Sequence, residues 1–158
     1  MKRVNKLLNC EKFKNTLEKI ENIEKTRIYC GHNFEHLLDV ARISYMLNLE
    51  ENLKIDKEII YVTAFLHDIG RFEEYTSNIP HDVASAEFAK EVLAYCDFNK
   101  DEEKTIIDAI LSHRKNDSDT PLGKILYRAD KLSRNCFSCS AENTCYWSKE
   151  KKNLQIKY

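Results

Sequence analysis

A histidine and an aspartate stand side by side at the end of an apolar run, Ala64-Phe65-Leu66-His67-Asp68-Ile69-Gly70-Arg71. Imidazole nitrogen and carboxylate oxygen are natural ligands for Mn, Fe, Co, Ni or Zn, and adjacent positions at a helix end can converge on one ion. Gly70 fits the left-handed residue that commonly stops a helix. One such pair carries little weight, because surface helices often end this way. The remaining histidines change the balance. His36 shares a helical face with Val40, Ile43 and Leu47, His113 stacks with Ile106 and Ile110, His81 follows Pro80, and Asp130 follows Leu126 and Ala129. A single histidine on an apolar face is more often a hydrogen-bonded core residue than a ligand. A set made of His36, His67, Asp68, His81, His113 and Asp130, each on or beside an apolar helix side or at a helix end, is harder to explain that way, since buried charge is costly unless paired or bound to metal.

The elements that must position these groups are helices. Apolar residues recur at helical spacing over Lys6–Ile23, His32–Leu49, Asp56–Ile69, Pro80–Tyr95, Asp101–His113 and from Pro121 through Asp130, which predicts about six helices. On this reading His32 lies one turn before His36 on the same face. The segments Arg71–Ile79 and Arg114–Thr120 read as loops. No stretch alternates with period two for long enough to form a strand, so the expected fold is all-α, a compact helical bundle.

Composition sets further bounds. The 158 residues include only three glycines and two prolines, with 42% hydrophobic content, which suits one domain over 1–158 made of long helices and short connections. Its core is expected over about 32–134, followed by a tail over 135–158. A net charge of -1 with interleaved signs gives no electrostatic footprint for nucleic acid. Met1-Lys2-Arg3-Val4-Asn5-Lys6 leads into no sustained apolar run, so neither a signal peptide nor a membrane span is expected, and the reading is cytoplasmic. Six cysteines in such a setting are reduced thiols or metal ligands sooner than disulfides.

The order of these motifs resembles the HD-domain metal-dependent phosphohydrolase superfamily. The matching residues are His36 in His36-Leu37-Leu38-Asp39-Val40-Ala41, the pair in His67-Asp68-Ile69-Gly70-Arg71-Phe72, and Asp130 in Arg128-Ala129-Asp130-Lys131-Leu132. The resemblance covers roughly 32–134 and implies one metal held by His36, His67, Asp68 and Asp130. His81 and His113 occupy the places where some members carry two further histidines for a second ion, with Asp68 as the bridge. It also implies a metal-activated water attacking a phosphate ester of a small molecule such as a nucleotide, with one or two ions of Mn, Fe, Co, Ni or Zn. Arg71 is then the candidate phosphate-binding side chain and Lys131 a second, with solvated surface cations as the alternative for both. His32 either donates a proton to the leaving oxygen or orients a neighbour. Two other readings share the ligand set: a di-iron oxygenase of the HD type, and a non-catalytic module that senses a nucleotide or metabolite.

Cys136, Cys139 and Cys145 lie beyond the last of these ligands. The Cys-X2-Cys spacing suits zinc, but a closed tetrahedral site wants a fourth ligand, which would have to be Cys10, Cys30, Cys96 or another group. Packing as small apolar side chains is the preferred expectation for the three.

Overall fold

Short polar residues cut the chain into helices. The structure, a computed structural model, describes residues 1–114 and 118–158, so the loop expected over 114–120 lies partly outside it. Among the described residues eight α-helices follow one another: α1 (Lys2–Leu8), α2 (Glu11–Glu24), α3 (Phe34–Glu50), α4 (Lys57–Leu66), α5 (Arg71–Ser77), α6 (His81–Leu93), α7 (Lys100–Ser112) and α8 (Pro121–Leu132). Single 3-10 turns over Cys136–Ser138 and Glu142–Thr144 complete the chain, and the described residues contain no strand. The expected all-α fold is what forms. Among the described residues no helix is long and apolar enough to cross a membrane.

The N-termini are held by side chains that accept the first free backbone N–H groups. Asn33 accepts from His36, Asp56 from Glu58 and Ile59, and Thr120 from Gly123. Asn99 and Glu102 form a reciprocal capping box on α7. The helix α4 is buried on all sides through Ile60, Val62, Thr63, Ala64, Phe65 and Leu66, which makes it the central rod. One apolar cluster joins Phe13, Phe65, Leu66, Phe88, Leu93 and Ile110, and another joins Val40, Ile43, Ile60, Leu122, Ile125 and Leu126. With α3 packed on α4 and α8, and α7 on α4, α6 and α8, the helix ends that carry the histidines meet.

Four sequence expectations are corrected. The helix expected over Lys6–Ile23 is two, because Asn9 turns its side chain back onto the Asn5 carbonyl at 2.8 Å and Cys10 is extended. His32 precedes α3 and is not part of it, since Asn33 is the cap. Arg71–Ser77 is a helix, not a loop. It has no fully buried residue, so its apolar signal is only Phe72 and Tyr75, three apart and half-buried against the core, and Asn78 in the left-handed region (φ 57°) ends it. Gly70 has φ -75° and is not a left-handed stop.

Gly70 is required for a different reason. A Cβ there would lie 2.4 Å from the His81 carbonyl oxygen and 2.4 Å from the Ser85 nitrogen, while its own N–H donates to Ser85 Oγ at 2.9 Å. The missing side chain lets the turn after α4 sit directly against the start of α6. Gly70→Ala is expected to lower stability by about 1–3 kcal/mol, the usual cost of overpacking. Its urea midpoint should fall with an unchanged m-value, and a wild-type midpoint would mean that α6 can move away freely.

Candidate metal centre

The turn between α4 and α5 carries His67 and Asp68, and every other ligand candidate comes to it from a helix terminus or first turn. His36 arrives from α3, His81 is the first residue of α6, His113 caps α7, and Asp130 lies in the last turn of α8. All six are buried. Asp68 Oδ2 lies 3.6 Å from His36 Nε2 and 3.1 Å from His67 Nε2, and Asp130 Oδ1 lies 3.4 Å and 3.9 Å from the same two nitrogens. The other Asp68 oxygen, Oδ1, lies 3.4 Å from His81 Nε2 and 3.8 Å from His113 Nε2. The ligand atoms fall into two groups that can each hold an ion, His36/His67/Asp68/Asp130 and Asp68/His81/His113, sharing Asp68. The sequence reading named every member.

What turns these side chains into ligands is the layer behind them. His67 Nδ1 donates to the Ala64 carbonyl at 2.6 Å and His113 Nδ1 to the Ile110 carbonyl at 2.6 Å. His81 Nδ1 donates to Glu74 Oε1 at 2.9 Å. Ser133 Oγ spends its hydrogen on the Asp130 carbonyl at 2.8 Å, so it accepts from His36 Nδ1 at 3.1 Å. In its neutral form each ring therefore turns an Nε2 lone pair inward, the arrangement a metal ligand needs.

The inward atoms fit a cation. His67 Nε2 and Asp130 Oδ1 are buried without a hydrogen-bond partner, the first despite its 3.1 Å approach to Asp68, which lacks hydrogen-bond geometry. His81 Nε2 and His113 Nε2 face each other at 3.3 Å as two lone pairs. Burial pushes His36 and His113 down to about 4, with Arg134 and His67 adding to the effect on the first and His67 on the second, so both rings are neutral. Burial would lower His67 too, but Asp68 and Asp130 overcome it and hold it up at about 9, a measure of how strongly they favour positive charge at that nitrogen. Burial opposes ionisation of the two carboxylates, yet His67 and the surrounding cations keep both well below the usual range. Ionised carboxylates with inward imidazole lone pairs are a donor set for a divalent transition metal.

Cations ring the opening. Arg71 Nε donates to Asp68 Oδ1 at 3.0 Å and Lys131 Nζ to Asp130 Oδ2 at 2.6 Å. Arg134, absent from the sequence-based candidates, donates to His36 Nε2 at 3.0 Å and to the Gly31 carbonyl at 2.6 Å. His32 directs Nε2 toward Asp68 Oδ2 at 3.7 Å, its Nδ1 held by Glu24 at 2.5 Å, and Tyr75 donates to the same Glu24 oxygen. Arg27, His32, Arg71, Asp130, Lys131 and Arg134 line a cavity of about 100 Å³ whose lining is completed in part by Cys145, Tyr146 and Trp147 of the tail. A roomier groove of about 530 Å³ between α2 and α6 touches none of the ligand candidates. Arg134 could have been found from its position one turn after Asp130, but nothing in the sequence ties Glu24 to His32.

The geometry predicts that purified protein carries divalent metal that His67→Ala and Asp68→Ala lose. His81→Ala and His113→Ala should keep the fold and move the stoichiometry toward one ion per chain. Elemental analysis with circular dichroism checks both, and wild-type metal content in His67→Ala and Asp68→Ala contradicts the assignment.

Comparison with known proteins agrees with this arrangement. The family model of the HD domain matches residues 33–135. A protein of Clostridium beijerinckii (strain ATCC 51743 / NCIMB 8052), described as an uncharacterized protein, is 45% identical over 158 residues, which is 100% of each chain. The crystal structure of a predicted HD superfamily hydrolase from an uncultured Thermotogales bacterium has a TM-score of 0.68, covering 90% of this chain and 80% of that one at 23% identity, a likeness of fold. With the family model spanning well over half of its length and carrying every buried histidine and aspartate of the two ligand groups, the chain belongs to the HD-domain family.

Proposed function

We propose that this protein is a metal-dependent phosphohydrolase that cleaves a phosphate ester of a small molecule such as a nucleotide. The observation that carries the reading is the ring of Arg27, Arg71, Lys131 and Arg134 around the cavity that opens onto His32 and Asp130. Phosphate oxygens need such charged donors, and an oxygen-activating centre does not. His36, His67, Asp68 and Asp130 would hold one ion of Mn, Fe, Co, Ni or Zn, and Asp68, His81 and His113 a second. When bound, such metal lowers the pKa of a water and screens phosphoryl charge.

The chain's own residues do the rest. Arg71 reaches from Asp68 to Glu74 Oε2 at 2.7 Å, so its guanidinium is held in one plane at the mouth. Lys131 and Arg134 approach the phosphoryl site from the α8 side. His32 spends its Nδ1 proton on Glu24, which leaves Nε2 to accept a proton from a water or orient it, rather than to donate one to the leaving oxygen. Beyond Lys131 a groove of about 400 Å³ continues along Tyr127, Arg128, Trp147 and Lys151. Two aromatic rings suit stacking with a planar base on the leaving group, which supports a nucleotide substrate.

The test is anaerobic. Protein loaded with Mn or Co is expected to release inorganic phosphate from a nucleoside monophosphate or a similar ester without oxygen, and Mg alone should support little turnover, since nitrogen ligands suit it poorly. Arg71→Ala should lower kcat/KM roughly ten- to hundredfold, the worth of a hydrogen bond to a charged group. Turnover seen only with iron and oxygen would assign the protein to the oxygenases, and metal binding without turnover across a broad metabolite panel would make it a sensing module.

A further inference from the structure

The tail from Asn135 to Tyr158 is bound to the body of the protein by very little. It contains two single-turn 3-10 helices, and its buried residues are Cys136, Ala141 and Asn153. Phe137, Tyr146, Leu154 and Ile156 are all at least 40% exposed, which leaves the half-buried Trp147 and Tyr158 as the large side chains that rest on the body. Its polar ties to the body are few: Tyr29 donates to the Thr144 carbonyl at 3.0 Å and Asn153 Nδ2 to the Leu132 carbonyl at 2.8 Å, while Lys152 Nζ donates to Glu142 within the tail itself. Segments too small to build a core are commonly held by a cross-link or a metal.

Four thiols stand where such a link would be. Cys136, Cys139 and Cys145 of the tail meet Cys30, from the connection between α2 and α3, around one cavity of about 20 Å³ that Tyr29, Glu142, Trp147 and Lys152 also line. All four are free cysteines, and the three tail thiols act together with burial on Cys30, pushing it up. Cys30 stands at the same cavity as the tail cysteines, whose spacing lacks a fourth ligand. Among the described residues only the two histidine–carboxylate groups have three or more ligand atoms all within 4.8 Å of one another. A tetrahedral zinc with Zn–S bonds of about 2.3 Å needs sulfurs about 3.8 Å apart. A cluster fits a wider spacing of thiolates, and a single ion requires the side chains to turn inward.

We propose that Cys30, Cys136, Cys139 and Cys145 form a second, structural metal centre, a four-thiolate site for a thiophilic metal, as Zn²⁺ or as an iron–sulfur cluster. It would fasten the tail to the segment that carries Gly31 and His32 and so keep Tyr146 and Trp147 over the mouth of the histidine centre. The assignment is independent of the reaction catalysed there.

The experiment uses full-length protein purified without oxygen from cells supplied with zinc and iron, with X-ray absorption at the edge of each metal it contains. Sulfur scatterers at about 2.3 Å are expected, because the histidine centre offers only nitrogen and oxygen. A brown visible charge-transfer band with acid-labile sulfide identifies a cluster, and colourless zinc with sulfur neighbours identifies a single ion; either upholds the proposal. The double variant Cys136→Ser, Cys139→Ser should lose that metal while keeping the metal of the histidine centre, and Asp68→Ala should show the reverse. Wild-type protein whose metals have no sulfur neighbours overturns the proposal whether or not the variants fold.

Discussion

Two ionised carboxylates in the middle of a helical protein are the constraint around which this structure is arranged. Asp68 and Asp130 are 2% and 6% exposed, and an uncompensated charge at such depth costs several kcal/mol. Compensation comes from both sides. Within the bundle, His36, His67, His81 and His113 turn nitrogen toward the carboxylates. From the mouth, Arg71, Lys131 and Arg134 approach them from outside. Among the buried atoms left without hydrogen-bond partners are His67 Nε2 and Asp130 Oδ1, both members of one ligand group.

The bundle uses its helix ends to meet that demand economically. The last carbonyls of a helix lack their regular intrahelical partners, and His67 and His113 each give the Nδ1 proton to a carbonyl three residues back, the Ile110 carbonyl accepting the His113 backbone N–H as well. The same bond closes the helix end and sets the tautomer that faces Nε2 inward. Gly70 then allows α6 to begin against the turn that carries Asp68, which places His81 on the second carboxylate oxygen. Capping, packing and ligand orientation are in this way one set of contacts.

Much of this could be read from the residues. The ligand candidates were visible because imidazoles and carboxylates recur on apolar helix sides, and because their chain order resembles a known family. Residues that act only through a neighbour were not visible. Glu24 closes α2 whereas the His32 it holds precedes α3, and Ser133 orients His36 from the end of α8. The helix α5 escaped because it buries no full side chain and shows no apolar stripe. Gly70 was misread for a general reason: a glycine after a helix suggests a left-handed stop, whereas close approach of another backbone leaves no mark in a single sequence. Cys30 is more than a hundred residues from Cys136, so only the folded chain brings the four thiols to one cavity.

The account rests on Asp68 serving two ligand groups at once, one through each oxygen. The most direct measurement is a crystal structure grown with Mn²⁺, with anomalous difference maps collected at an energy where manganese scatters strongly. Two peaks are expected on opposite sides of the Asp68 carboxylate, one among His36, His67 and Asp130 and the other beside His81 and His113. Well-ordered protein with no anomalous peak within bonding distance of Asp68 would contradict it.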